Sequence, residues 1–149
     1  MATRERTYEP HSSLHYALWA AQVFLAVSFA VAGLIKVALP FSQVGEYLAW
    51  AKDQPEPLIR FIGVCELAAV FGLTVPGWTR TLPSLIPITA FALMGLMFLA
   101  IGFHLMRHEV GLIGAPLIML ALSAFVAFGR TAVPIPPAEH RGRPRPLTR

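Results

Sequence analysis

The chain has 149 residues, of which 56% are hydrophobic and only 13% charged, and its mean hydropathy is +0.61. Soluble domains carry roughly 45–50% apolar and about 25% charged residues, so the composition excludes a water-soluble fold, and the length leaves room for a single domain of about four spans of roughly 20 residues each. The formal charge of +4 comes from a basic C-terminal end; no recognition fold accompanies it, so its partner is anionic lipid and no nucleic-acid partner is expected.

The first apolar run, Leu14 to Leu39, is too long for a signal-peptide core and is read as a helix ended by Pro40. A second starts near Pro57, a residue favoured in a first helical turn, and stops before a turn at Pro76 and Gly77. The third, Leu82 to Met106, tolerates Pro83 at its start and is expected to bend at Pro87; the fourth, Val110 to Phe128, is expected to kink at Pro116. Small residues at packing spacing, Ala26 and Ala30, Ala68 and Gly72, Gly111 and Ala115, suit close helix contacts. From Thr131 the chain is rich in Pro and Arg and offers little to bury. The expected architecture is all-α: a polytopic four-transmembrane-helix bundle over residues 1–130, and a disordered basic tail over 131–149 that folding does not need.

Four spans place both termini and the connection after the second helix on one side, with Arg4, Arg6, Arg80, Arg130, Arg141, Arg143, Arg145 and Arg149. The other side holds Lys36, Lys52, Arg60 and Arg107. The positive-inside bias then puts both termini in the cytoplasm.

Glu66 stands out because it interrupts the apolar run Phe61 to Val75. An ionised carboxyl near the bilayer centre costs about 2.5–3.5 kcal/mol on insertion scales, so it needs an internal partner such as Lys36 or Arg60, or a bound proton. Lys36, Arg60, His104 and Glu109 gather in the outer half under this topology, where all four helices can line a pocket. Each has a plainer reading: Lys36 and Arg60 can snorkel to the interface, His104 can bond a backbone carbonyl, and Glu109 can sit at the amides of a helix start. Arg107 and His108 read as solvated loop residues. Cys65, the only cysteine, reads as a small packing residue that can form neither a disulfide nor a Cys-based metal site; no metal site is expected.

The segments AGLIKV (Ala32 to Val37), RFIGVCELAAVFGLTVP (Arg60 to Pro76), HLMRHE (His104 to Glu109) and FGR (Phe128 to Arg130) resemble the DoxX-like membrane proteins. The resemblance covers roughly Leu14 to Arg130 and lies in the order and spacing of these segments. It implies a four-helix integral membrane protein with Lys36, Arg60, Glu66, His104, Glu109 and Arg130 as its polar positions. The family name comes from a subunit associated with a thiosulfate:quinone oxidoreductase, which implies a quinone as ligand, although the sequence carries no haem, flavin, iron–sulfur or dithiol pattern of its own.

Two functions fit these residues. One is an accessory membrane subunit whose polar cluster holds the bundle together or binds a membrane-protein partner, a second copy or a lipophilic small molecule. The other is an intramembrane acid/base enzyme of the isomerase or epoxide-opening type, with Glu66 and His104 moving protons on a lipophilic substrate.

Overall fold

The computed structural model describes residues 12–136. Its elements are α1 (Ser12–Ala38), α2 (Phe41–Tyr47), a 3₁₀ turn (Ala49–Ala51), α3 (Glu56–Thr79), α4 (Leu85–Met106), a second 3₁₀ turn (Val110–Leu112) and α5 (Gly114–Ala132). Four of these helical stretches are long and apolar enough to cross a membrane: α1, α3, α4, and α5 with its preceding turn.

The helices form a ring in which α1 packs mainly on α3 and α4 mainly on α5, closed by α3 against α4 and α1 against α5. Buried residues recur at helical spacing. Ala21, Leu25 and Phe29 of α1 meet Ala69 and Leu73 of α3, Ile86, Ala90, Leu93 and Met97 of α4, and Val126 and Ala127 of α5. The outer faces are as apolar as the core: Phe24, Val31, Phe61, Phe71, Trp78, Phe98, Leu99 and Phe128 are all exposed. A helix that is hydrophobic all round belongs in lipid, which coats the outer face.

Several expected boundaries move. α3 runs through Pro76 and Gly77 to Thr79, and the turn comes at Arg80 in a left-handed conformation. Pro76 has no N–H for the carbonyl one turn back, but the apolar surroundings keep the remaining ladder. Pro87 and Pro116 both fall third in their helices. Amides in a first turn have no helical acceptor anyway, so neither proline has the reason to bend its helix that an interior position would supply. Cys65 lies on the exposed face of α3 and is not a packing residue. At the far end α5 continues through Ala132, and Ile135 is buried in the core; the rest of the expected tail, 137–149, lies outside the described residues.

The contact that positions the site is between glycines. A Cβ on Gly63 would lie 2.7 Å from the Lys36 Cβ, and one on Gly33 would lie 3.0 Å from the Gly63 carbonyl oxygen. α1 and α3 therefore touch backbone to backbone one turn from Lys36. Gly63→Ala is expected to force them apart at an overpacking cost of about 1–3 kcal/mol. Gly102→Ala, whose added carbon meets nothing within 4 Å, is expected to be neutral or to gain up to about 1 kcal/mol of helix propensity. Thermal melting in detergent compares the two.

Candidate functional site: an ion pair beside an intramembrane cavity

Lys36 is two residues from the end of α1, yet it does not reach outward. Side chains on a helix lean toward its N-terminus, and here that direction leads into the bundle. Its Nζ donates to Glu66 Oε1 and Oε2 at 2.8 and 2.7 Å and to the Ala32 carbonyl at 3.4 Å. Both side chains are almost wholly enclosed, at 4% and 6% exposure. The buried carboxylate thus has a full internal counter-charge, and the alternative of a snorkelling lysine is ruled out by the geometry.

Arg60 goes elsewhere. Its Nη1 donates to the carbonyls of Lys36, Leu39 and Val37 at 2.7, 2.8 and 3.2 Å, and Nε and Nη2 bind Glu56 Oε1. The last carbonyls of a helix lack intrahelical donors, so Arg60 closes the end of α1 from α3 and sits above the ion pair instead of joining it.

His104 and Glu109 form the third polar unit. His104 Nδ1 and Glu109 Oε2 are 2.8 Å apart; Arg107 Nε donates to Glu109 Oε1 at 2.8 Å, and Arg107 Nη2 to Asp53 Oδ2 at 3.0 Å. Glu109 stands directly before the fourth span, which opens with a 3₁₀ turn ahead of α5, but its carboxylate caps no amide there. Arg107 lies in the turn after α4, partly exposed, and from there clamps Glu109 and Asp53.

Arg130 is separate from this group. It lies at the opposite end of the bundle, buried in α5, with Nε donating to Gln22 Oε1 at 3.0 Å and its guanidinium 5.1 Å from the centre of the Trp19 ring.

Lys36, Glu66 and His104 share the wall of a cavity of about 560 Å³ that α1, α3, α4 and α5 all line. Its remaining lining is nearly all apolar, with Phe29 and Met97 buried in the bundle, Leu96 and Met119 half-buried, and Phe61 and Leu99, both exposed, at the lipid side. Trp50 and Gln54 of the α1–α3 connection also line it. Trp50 stacks edge-on against Phe103 at 5.8 Å and lies 5.9 Å from Lys36 Nζ. A small second core of Val44, Ala51 and Ile59 seats that connection on the bundle end. Trp50, Asp53 and Gln22 were not singled out from sequence. Trp50 and Asp53 sit in a connector without periodicity; Gln22, an amide inside the first apolar run, was a legible signal.

The clamp responds to acid. The hydrogen bond from Arg107, and after it that with His104, holds the Glu109 carboxyl below its ordinary range. A carboxyl depressed on folding contributes stability that is present above its unfolded value of about 4.3 and is lost as pH falls through the folded value. The connection is therefore expected to stay docked at neutral pH and to loosen below about pH 4, seen as faster hydrogen exchange at Ala51 to Gln54. Glu109→Gln is expected to weaken that pH dependence, and Glu109→Gln combined with Asp53→Asn to remove it, because both carboxylates hold Arg107.

Four apolar spans enclosing a buried ion pair and a lipid-facing cavity define an integral membrane protein in contact with the bilayer. The model of the DoxX-like family matches residues 20–126, and the chain belongs to that family. No curated protein and no solved structure matches it. Lys36, Arg60, Glu66, His104 and Glu109 fall within the matched range; Arg130 lies beyond it.

Proposed function

We propose that the protein binds a lipophilic small molecule that enters from the bilayer between α3 and α4. The supporting observation is the cavity of about 560 Å³, whose ionisable lining residues are Lys36, Glu66 and His104 alone. That size suits one drug-sized ligand, and the pattern of an apolar wall with a few convergent polar groups is that of ligand pockets in general. The ligand's apolar body lies along Phe29, Met97 and Met119, and its polar head meets Lys36 and His104. A quinone has the required form: a flat apolar ring with carbonyl oxygens that accept hydrogen bonds. With both termini in the cytoplasm, as the arginine distribution favours, the cavity occupies the outer half of the bilayer.

Decylubiquinone, a short-chain quinone, is the direct probe. It is expected to raise the melting temperature of the purified protein and to lose that effect in Ala100→Trp, which fills the cavity from α4. Lipid extracts of the purified protein are expected to contain a bound lipophilic metabolite that Ala100→Trp lacks. Absence of both would overturn ligand binding at this site.

A second reading rests on the His104–Glu109 contact. A carboxylate that fixes one imidazole nitrogen while the ring lines a cavity is the orienting arrangement of a general base. As an enzyme, the protein would keep ligand binding but lose turnover in His104→Gln and Glu109→Gln. Turnover intact in both variants would remove this reading.

A further inference from the structure

Among the described residues, the other end of the bundle holds a charge with no counter-charge. Arg130 is 2% exposed, and among the described residues its Nη1 and Nη2 are enclosed yet make no hydrogen bond. Only Nε is engaged, by the uncharged Gln22. Gln22 is itself pinned by its Nε2 donating to the Leu73 carbonyl, so it is fixed and cannot swing to serve the other two nitrogens. Trp19 offers one face of the guanidinium a ring, which leaves the edge of the fork unserved.

The chain described here cannot supply the missing anion. Its acidic residues are Glu46, Asp53, Glu56, Glu66 and Glu109, all in the half that holds Lys36, by the order of the helices. At the Arg130 end the described residues that carry positive charge are Arg80 and Arg130, with His15 beside them and no described acid, so the local field is positive. A buried guanidinium is costly without a partner and strongly held with one. The ligand must therefore come from outside residues 12–136.

A space is present for it. Arg130 forms part of the wall of a second cavity of about 1010 Å³, with His15, Ser84 and Thr131 as its other hydrogen-bonding side chains and Pro83, Pro87, Pro134 and Pro136 around them. This cavity lies at the mouth of the bundle, where helix ends meet the headgroup layer. A planar fork with two free nitrogens selects an acceptor with two parallel oxygens. Carboxylates and phosphates both have that form, and the headgroup layer is where phosphate is concentrated.

We propose that Arg130, with His15 and Ser84 beside it, is a phosphate-binding site distinct from the Lys36–Glu66 cavity, occupied by an anionic phospholipid headgroup or by a soluble phosphate. The two sources are separable. Full-length protein stripped of lipid in detergent is titrated with dioleoylphosphatidylglycerol or dioleoylphosphatidylcholine in mixed micelles, and separately with sodium phosphate against sodium chloride at matched ionic strength. Melting temperature and bound mass by native mass spectrometry are read.

Phosphatidylglycerol is expected to raise the melting temperature and to be retained, with phosphatidylcholine weaker. A response to lipid alone assigns the headgroup; an equal response to inorganic phosphate assigns a soluble anion. Arg130→Lys, which keeps the charge and loses the fork, is expected to weaken binding at least about tenfold. Arg130→Met is expected to lose it. Should that variant fail to fold, Gln22→Glu supplies the test, because it places a carboxylate against Arg130 from within and is expected to cancel the response. A wild-type protein indifferent to both lipid and phosphate would overturn the site, as would a response that survives Gln22→Glu or Arg130→Met. A response that appears only when Glu5, Glu9 and Glu139 are together replaced by Gln would also overturn it, since the chain's own carboxylate would then be the occupant.

Discussion

Glu66→Gln is expected to lower stability in detergent by about 3–5 kcal/mol, because it leaves the Lys36 ammonium enclosed without its counter-charge. Lys36→Met is expected to cost a similar amount by stranding the carboxylate. The double variant Lys36→Met, Glu66→Gln is expected to recover a large part of the loss, since no net charge is left behind and methionine fills the volume of the lysine stem. Arg60→Met combined with Glu66→Gln is expected to be additive, because Arg60 serves the carbonyls at the end of α1 and Glu56. Thermal melts of the set separate the pairs. Additivity between Lys36 and Glu66 would remove the ion pair as a stabilising unit, and coupling between Arg60 and Glu66 would contradict the geometry.

Trp50→Ala is expected to have the largest effect on ligand binding, a loss of about 30-fold, corresponding to the roughly 2 kcal/mol of a central aromatic contact. The ring lines the cavity from the connection, where it touches Phe103 and faces Lys36. The ring also packs against the small core of Val44, Ala51 and Ile59, so the apo protein is expected to lose stability as well, and Trp50→Phe, which keeps a ring in that place, is expected to bind and melt closer to the wild type. Binding of decylubiquinone by fluorescence quenching or thermal shift measures the first effect, and the apo melting temperature the second. Equal affinity in both proteins would place the ligand away from the roof.

The bundle was legible because lipid writes its requirement on every span: long apolar runs with few charges admit one kind of structure. The pairing of Glu66 was half legible. Its need for a partner follows from burial cost, but Lys36 and Arg60 were equal candidates until the direction of the lysine side chain and the Gly33–Gly63 contact were known. Arg130 was grouped with the other polar residues by resemblance, and topology separates it from them by the length of a span. The Trp50 roof and the Asp53–Arg107 bridge were illegible because connectors have no period, and residues 54 positions apart meet only through the fold. The ground for a kink at Pro87 and Pro116 disappears for a local reason: a proline's effect depends on its distance from the helix start, and α4 and α5 start three and four residues later than their apolar runs.

The pairing of α1 with α3 also bears on how the chain enters the membrane. Lys36 precedes Glu66 in synthesis by 30 residues, and α4 carries no Asp, Glu, Lys or Arg at all. α3, the second span, carries a carboxylate near its centre, which penalises its insertion by about 2.5–3.5 kcal/mol. α1 would already be in place, with its ammonium turned inward toward the arriving carboxylate. Partition of α3 from the translocon is thus expected to depend on α1, while α4 partitions unaided. Glycosylation mapping of nascent chains is expected to show Lys36→Met reducing integration of α3 and leaving α4 unaffected; equal integration of α3 with and without Lys36 would mean that the pair forms only after release.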